Sequence, residues 1–377
     1  MTGYFLLVVI EAVIYGLFYL SKWTKGIKNR HLWYLILSFF VLFFFSAFRA
    51  PHLGIDYSNY ILALQAIDET GTYYMEPGFI LLNKFILLFT SHHFGISITV
   101  NLFLMVPLFF FITKSVHRKY WPLCVMIFVL NPYMFLQSTF NIMRQCCATG
   151  LILSAVLFFR NKQLWMKLLA VALIIIAAQF HKMAYCMLVL VPVMLFGWKK
   201  KYWVVLATVA FLINMSSIDL LSLFFRIVDP WYAEYESSLL NIGIYVIFIY
   251  FFILGICHYY DDLCTDKRSK TFVDLYLFSL CFLLIALPND MTYRIYIMLA
   301  FTAIPAVPVL WRKLGSLRVT ELPVIGTLKI WEKFPILTRI PVIKAGYVTY
   351  YFGLFVCYIF YLWLTNNQYY IPYSFGF

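Results

Sequence analysis

The chain has 377 residues, of which 64% are hydrophobic, 21% aromatic and only 12% charged, with a mean hydropathy of +0.86. Soluble domains carry about 25% charged residues and are about half apolar, so a soluble enzyme is excluded. The net charge of +13 does not indicate nucleic acid, because the basic residues fall in short clusters between apolar runs.

Those runs lie near 3–21, 32–48, 77–90, 96–113, 121–138, 145–159, 164–180, 183–197, 203–215, 239–257, 272–288, 295–311 and 346–364. Most have the length that crosses hydrocarbon at about 1.5 Å per residue. They lack the strict alternation of barrel strands, so the spans are predicted to be helices. The first run has no basic stretch before it and no small-residue cleavage site, so it reads as a retained span rather than a signal peptide. Its basic residues (Lys22, Lys25, Lys28, Arg30) follow it, which places the N-terminus outside. The eight cysteines suggest no disulfide framework, since most sit inside apolar runs as small fillers.

Charge decides the topology. If every run crosses, the basic loops after Lys114 are flipped outward. If 77–90 does not cross, Lys22–Arg30, Lys114–Lys119, Arg160–Lys167, Lys199–Lys201, Lys267–Lys270 and Arg312–Lys344 all fall inside, and these hold 23 of the 29 Lys and Arg. Positive-inside bias favours the second arrangement. Residues 77–90 also carry Asn83 and Lys84 at their centre, and a central lysine costs about 3 kcal/mol. The predicted fold is therefore an all-α polytopic membrane protein with about twelve transmembrane helices, a re-entrant or interfacial helix over 77–90, and both termini outside. The 1–377 chain reads as a single integral membrane domain. It carries a first outer loop at 49–95, a second at 214–238, and a basic amphipathic cytoplasmic segment at 312–345 suited to anionic headgroups.

Six basic residues then stand on the outer side against the usual bias: Arg49, Lys84, Arg144, Lys182, Arg226 and Arg294. Most acids share that side. Arg49 ends the second span, either snorkelling to headgroups or facing the acidic loop that follows. Asp56 lies in Gly54-x-Asp56-x-x-x-Tyr60. It reads as a helix N-cap and equally as a held base or acceptor-binding group. Tyr60, four residues on, shares its helix face. Glu76 opens Glu-Pro-Gly, where a first-turn charge is favourable in its own right. Arg144 enters a span about one turn deep and needs an acid or a ligand anion as partner; Gln145 beside it is a second donor. His181, flanked by Gln179 and Lys182, is a candidate base or diphosphate ligand. Arg294 is four residues from Asp290 and either pairs with it or joins an anion site. Arginine forks suit a diphosphate, and an outward site within lipid suits a substrate with a lipid tail. There is no Walker A, HExxH, GxSxG or Asp-x-Asp pattern, and no metal or cofactor is expected.

With Arg49 and Gly54-x-Asp56-x-x-x-Tyr60, Glu76-Pro-Gly, Asn141-x-x-Arg144 and Phe180-His181-Lys182-Met183-Ala184 in this order, the chain resembles the EpsG-type or Wzy-type O-antigen and exopolysaccharide polymerases over about residues 30–300. The resemblance implies a GT-C-like glycosyltransferase of the bacterial inner (cytoplasmic) membrane, with its site facing the periplasm or cell exterior. It implies an undecaprenyl-diphosphate-linked oligosaccharide as donor. The growing glycan would pass to the terminal sugar of a lipid-linked repeat unit, with a chain-length regulator and a flippase as membrane partners. On that basis Arg144 and Arg294, with Arg49, are expected to bind diphosphate, and Asp56 or His181 to bind or deprotonate the acceptor. Tyr60, Glu76, Gln145 and Lys182 are expected to bind substrate. A flippase for the same lipid would also use a cationic cavity, and Glu11 inside the first span is the residue that most favours transport, although a buried helix contact is the preferred reading of it. An O-acyltransferase is the third reading.

Overall fold

A computed structural model describes residues 2–216, 243–286, 290–322, 341–365 and 373–374. Their regular structure is helical, with one antiparallel bridge between Arg318 and Pro341. Five helical stretches are long and apolar enough to cross a membrane: Gly3–Leu20, Arg30–Ala47, His93–Ser115, Lys267–Ala286 and Val342–Thr365. Counting each of two sharply bent helix pairs as one span brings the number to seven. The chain is thus an all-helical membrane protein. Its other apolar helices have 10–17 residues. Arg226 and the acids Asp219, Asp229, Glu234 and Glu236 lie outside the described residues, as does most of 214–238 and the centre of 312–345.

By contacts the chain divides into two units, Met1–Met187 with Ser316–Phe377, and Leu188–Gly315. The first contains α1 (Thr2–Tyr15, continued by a π-helical turn to Leu20), α2 (Arg30–Ala47), α3 (Tyr57–Thr70), α4 (Pro77–Leu87), α5 (His93–Ser115), α6 (Trp121–Leu130), a π-helix Tyr133–Asn141, α7 (Met143–Phe159) and α8 (Leu164–Phe180).

Side-chain contacts fix which helix ends of this unit lie together. The Tyr19 hydroxyl donates to the Arg118 carbonyl at 2.8 Å, and Arg160 donates to Ser115 at 3.4 Å. Three basic loops expected to share a membrane face are therefore gathered at one end. At the other end Arg49 donates to Ser97 and to the Phe140 carbonyl, and Tyr373 donates to the Phe45 carbonyl at 2.7 Å. A helix at 77–90 that crossed the membrane would put Tyr19 and Arg118 at opposite ends. The observed α4 has 11 residues, about 16 Å of helix against a hydrocarbon thickness of about 30 Å. Its Lys84 is exposed while Asn83 is buried and donates to the Phe79 carbonyl at 2.8 Å. Glu11 is buried on α1, where Ser38 of α2 donates to it at 2.8 Å, so it is met by a helix–helix contact.

One stretch differs from its sequence reading. The segment between Pro132 and Asn141, most of it inside the apolar run 121–138 and bracketed by Pro132 and Asn141 as a short outer turn at the end of that run, is a π-helix turned 57° from α6. Pro132 withholds an N–H and breaks the ladder of α6. Met134, Phe135, Leu136 and Phe140 then bury against the bundle instead of forming a loop. The π-helix ends at Asn141, two residues before α7 begins at Met143.

The second unit contains α9 (Leu190–Leu195), α10 (Lys200–Met215), α11 (Gly243–His258), α12 (Tyr260–Leu263), α13 (Lys267–Ala286), α14 (Asp290–Ala300) and α15 (Ala303–Leu314). Its polar core is Asp274, which accepts from the Trp203 indole at 2.8 Å, from the Tyr260 hydroxyl at 2.6 Å and from Lys270 at 3.0 Å. This one carboxylate ties α10, α12 and α13 together. Arg312 and Lys313 at the end of α15 reach Ser269 and Thr265, so the basic ends of α13 and α15 also lie together.

Candidate functional site

The Arg49 end of the first unit carries two connected arrangements. The first is a buried clasp. Arg49 is fully buried and donates to Ser46 O at 2.5 Å, Ser97 Oγ at 2.9 Å and Phe140 O at 3.3 Å. Its guanidinium lies 4.0 Å from the centre of the Tyr57 ring and 4.9 Å from that of Phe140, within cation–π range. Gly54 closes the same clasp. Its φ is +96°, and a Cβ there would stand 2.5 Å from the Phe140 carbonyl oxygen. The Gly-x-Asp pattern thus needs glycine twice, for backbone conformation and for room. Two residues on, the Asp56 N–H donates to Asn141 Oδ1 at 2.9 Å. Asp56 is the N-cap residue of α3, half-buried, with no side-chain capping bond.

The second arrangement centres on Glu76. Pro77 occupies the first helical position of α4, where its missing N–H costs nothing. Gly78 lets α4 approach α8 so closely that a Cβ would stand 2.8 Å from the Gln179 carbonyl oxygen. This places Glu76 against the end of α8. Its Oε2 accepts from the Arg144 guanidinium. Its Oε1 accepts from the Lys182 backbone N–H at 3.3 Å and stands 3.7 Å from Nδ1 of His181. Glu76 is 5% exposed and His181 7%, while the Arg144 side chain is 30% exposed. Tyr60, one turn after Asp56, is buried against the Phe79 ring and in hydrogen-bonding reach of Arg144. Burial alone would raise the Glu76 carboxyl. Its contacts with His181 and Arg144 more than reverse that and hold it at about 2, so Glu76 is a carboxylate throughout the physiological range.

Of the residues singled out in the sequence, Tyr60, Glu76, Arg144, His181 and Lys182 are brought together. Lys182 contributes its backbone amide while its side chain is exposed. Gln145 is buried on α7 next to Arg144. Arg49 and Asp56 belong to the neighbouring clasp, whose Asn141 precedes Arg144 by three residues in the chain. Arg294 is half-buried on α14 of the second unit, and the side chain of Asp290 lies outside the described residues. Ser97 was not singled out, because an ordinary serine in an apolar run carries no mark that an arginine will use it, and nothing beside Asp56 marks the Tyr57 ring as the one that Arg49 packs on. Among the described residues no group of three or more His, Cys, Asp or Glu side chains is placed to hold a metal.

The arrangement can do two things chemically. It presents a guanidinium, anchored on one side and open on the other, to an anion. It also sets an imidazole beside a permanent carboxylate, the pairing that steadies a histidine accepting a proton.

Fold and site together define an all-helical membrane protein with an arginine–carboxylate–histidine cluster at one end of its helices. A family model for EpsG matches residues 32–328, and the chain belongs to the EpsG family. The matched span includes every candidate residue from Arg49 to Arg294. No curated protein and no solved structure matches the chain. Membership suggests a function of the polysaccharide-polymerase type.

Proposed function

We propose that this protein is a glycosyltransferase that lengthens a polysaccharide on a lipid carrier at the outer face of the cytoplasmic membrane. The donor is a glycan on undecaprenyl diphosphate, and the acceptor is the terminal sugar of a lipid-linked repeat unit. On this reading the fold is GT-C-like and crosses the bilayer about twelve times, the shorter apolar helices included.

The observation that carries the proposal is the Glu76–Arg144–His181 cluster, built from three stretches far apart in sequence and lying within the family match. In the proposed reaction an acceptor hydroxyl attacks the anomeric carbon of the donor sugar. A new C–O bond forms as the bond from that carbon to the diphosphate oxygen breaks. The proton of the hydroxyl passes to His181 or Asp56, and the carrier diphosphate leaves with the bonding electrons. Arg144 neutralises the charge that grows on the departing diphosphate. Positioning and charge stabilisation dominate, because a diphosphate is already a fair leaving group. Arg49 shapes this site from beneath by holding Phe140 and, through it, the approach to Asn141 and Arg144.

The test is reconstitution in liposomes with a purified lipid-linked repeat unit and no nucleotide sugar, read as a gel ladder. Wild type gives the ladder. Arg144→Ala inserts and purifies normally but gives none. A normal ladder from that variant removes Arg144 from the mechanism, and movement of the lipid without any ladder from wild type identifies a transporter.

A further inference from the structure

The second unit holds a cavity of about 790 Å³ beside its Asp274 network, with Tyr260 and Lys270 shared between the two. Four lysines line it: Lys199, Lys200, Lys201 and Lys270. Lys270 is already matched by Asp274 at 3.0 Å and by the Trp198 carbonyl at 2.5 Å. Lys200 reaches the His258 carbonyl at 3.3 Å, which leaves its charge uncompensated. Lys199 and Lys201 are exposed. Asp261 supplies the one acid of the lining besides, so an excess of about two positive charges faces the cavity. The first turn of α10 contains no acid to offset it. Several ammonium groups at the positive end of a helix dipole are unfavourable unless an anion sits among them.

The rest of the lining says what kind of anion. Trp198, Val204 and Val205 present an apolar wall, and Val205 is 62% exposed. A free phosphate would satisfy the lysines and leave that wall unused. An amphiphile with a phosphate head and a hydrocarbon chain satisfies both. The lysines also belong to the loops that charge bias places on the cytoplasmic side, where anionic lipids concentrate.

We propose that this cavity binds one anionic phospholipid, its phosphate among Lys199, Lys200 and Lys201 and an acyl chain along Val204 and Val205. The site is independent of the glycosyl-transfer reading.

Native mass spectrometry of the full chain in a neutral detergent tests it, with phosphatidylglycerol and phosphatidylcholine titrated side by side. Wild type should retain phosphatidylglycerol in preference, by about tenfold or more. Removing two exposed charges in Lys199→Ala/Lys201→Ala should lower that retention by roughly tenfold to thirtyfold, with phosphatidylcholine unchanged and the protein still monodisperse. Val205→Glu should weaken phosphatidylglycerol with all lysines in place. Equal retention of the two lipids, or undiminished phosphatidylglycerol in the double variant, overturns the proposal. Displacement by millimolar inorganic phosphate together with indifference to Val205→Glu also overturns it, by assigning the lysines to free phosphate.

Discussion

Replacing Glu76 with glutamine changes one atom and tests the whole cluster. The carboxylate accepts from Arg144 on one oxygen and from the Lys182 amide on the other. Glutamine keeps one acceptor, turns the other into a donor, and removes the charge facing Arg144. The folded protein holds this carboxyl at about 2, against an ordinary value of 4.5. At about 1.4 kcal/mol per pH unit that gap corresponds to about 3 kcal/mol of stability at neutral pH. Breaking a buried ion pair by removing one partner costs about 3–5 kcal/mol, and the part-exposed Arg144 places this pair at the low end, so the two routes agree. The sign follows from the depressed value. The contribution is complete above about pH 4.5 and is lost as the pH falls towards 2. Thermal unfolding of detergent-purified wild type and Glu76→Gln should therefore differ by about 4 °C at pH 7, with the difference shrinking steadily below pH 4.5. Equal melting at pH 7, or a difference that persists unchanged into acid, would refute the role given to Glu76.

Arg49→Lys and Arg144→Lys should fail differently. A lysine cannot serve Ser46, Ser97 and Phe140 together, so Arg49→Lys should lose about 2–3 kcal/mol in melting experiments; Arg144→Lys should melt within about 1 kcal/mol of wild type yet shorten the polymer ladder. Gly78→Ala puts a methyl 2.8 Å from the Gln179 carbonyl oxygen, forces α4 off α8, and should cost about 1–3 kcal/mol along with the ladder; wild-type behaviour would show that the approach of these helices is not required. Asp274→Asn leaves Lys270 without its counter-charge and should destabilise the protein by about 2–4 kcal/mol in a melting assay, without changing the linkage made by whatever enzyme survives.

The bundle's two ends were legible because charge is a long-range record. Basic loops must share a face wherever helices alternate, so excluding 77–90 from the spans already implied that Lys22–Arg30 meets Lys114–Lys119, as Tyr19 and Arg118 do. Glu-Pro-Gly was legible as a helix start for local reasons. The choice of partner was not. Nothing near Glu76 tells that its carboxylate will meet an arginine 68 residues later, and a first-turn glutamate reads the same with or without one. Arg49 posed the converse problem. An arginine at a span end looks available to a ligand, and partners as distant as Ser97 and the Phe140 carbonyl, 48 and 91 residues away, show that it is enclosed. The bend at Pro132 was hidden because the apolar run continues across it, and hydropathy does not register a change of direction.

The two arginines at this end show how burial and pairing, more than residue type, distinguish an enclosed guanidinium from an accessible one. Arg49 is fully buried, and protein acceptors and aromatic faces surround its guanidinium. Recruiting it to a substrate would require dismantling the clasp that holds Phe140. Arg144 is anchored by one carboxylate oxygen and remains 30% exposed, so a guanidinium with five donors is oriented without being enclosed. In the proposed reaction a doubly charged diphosphate would meet a cation already aimed, and charge developing on the leaving oxygen would need no reorganisation to be met. Glu76 would serve catalysis by not taking part in bond making: it fixes Arg144 on one side and faces His181 on the other, so its loss should weaken charge stabilisation and proton acceptance together.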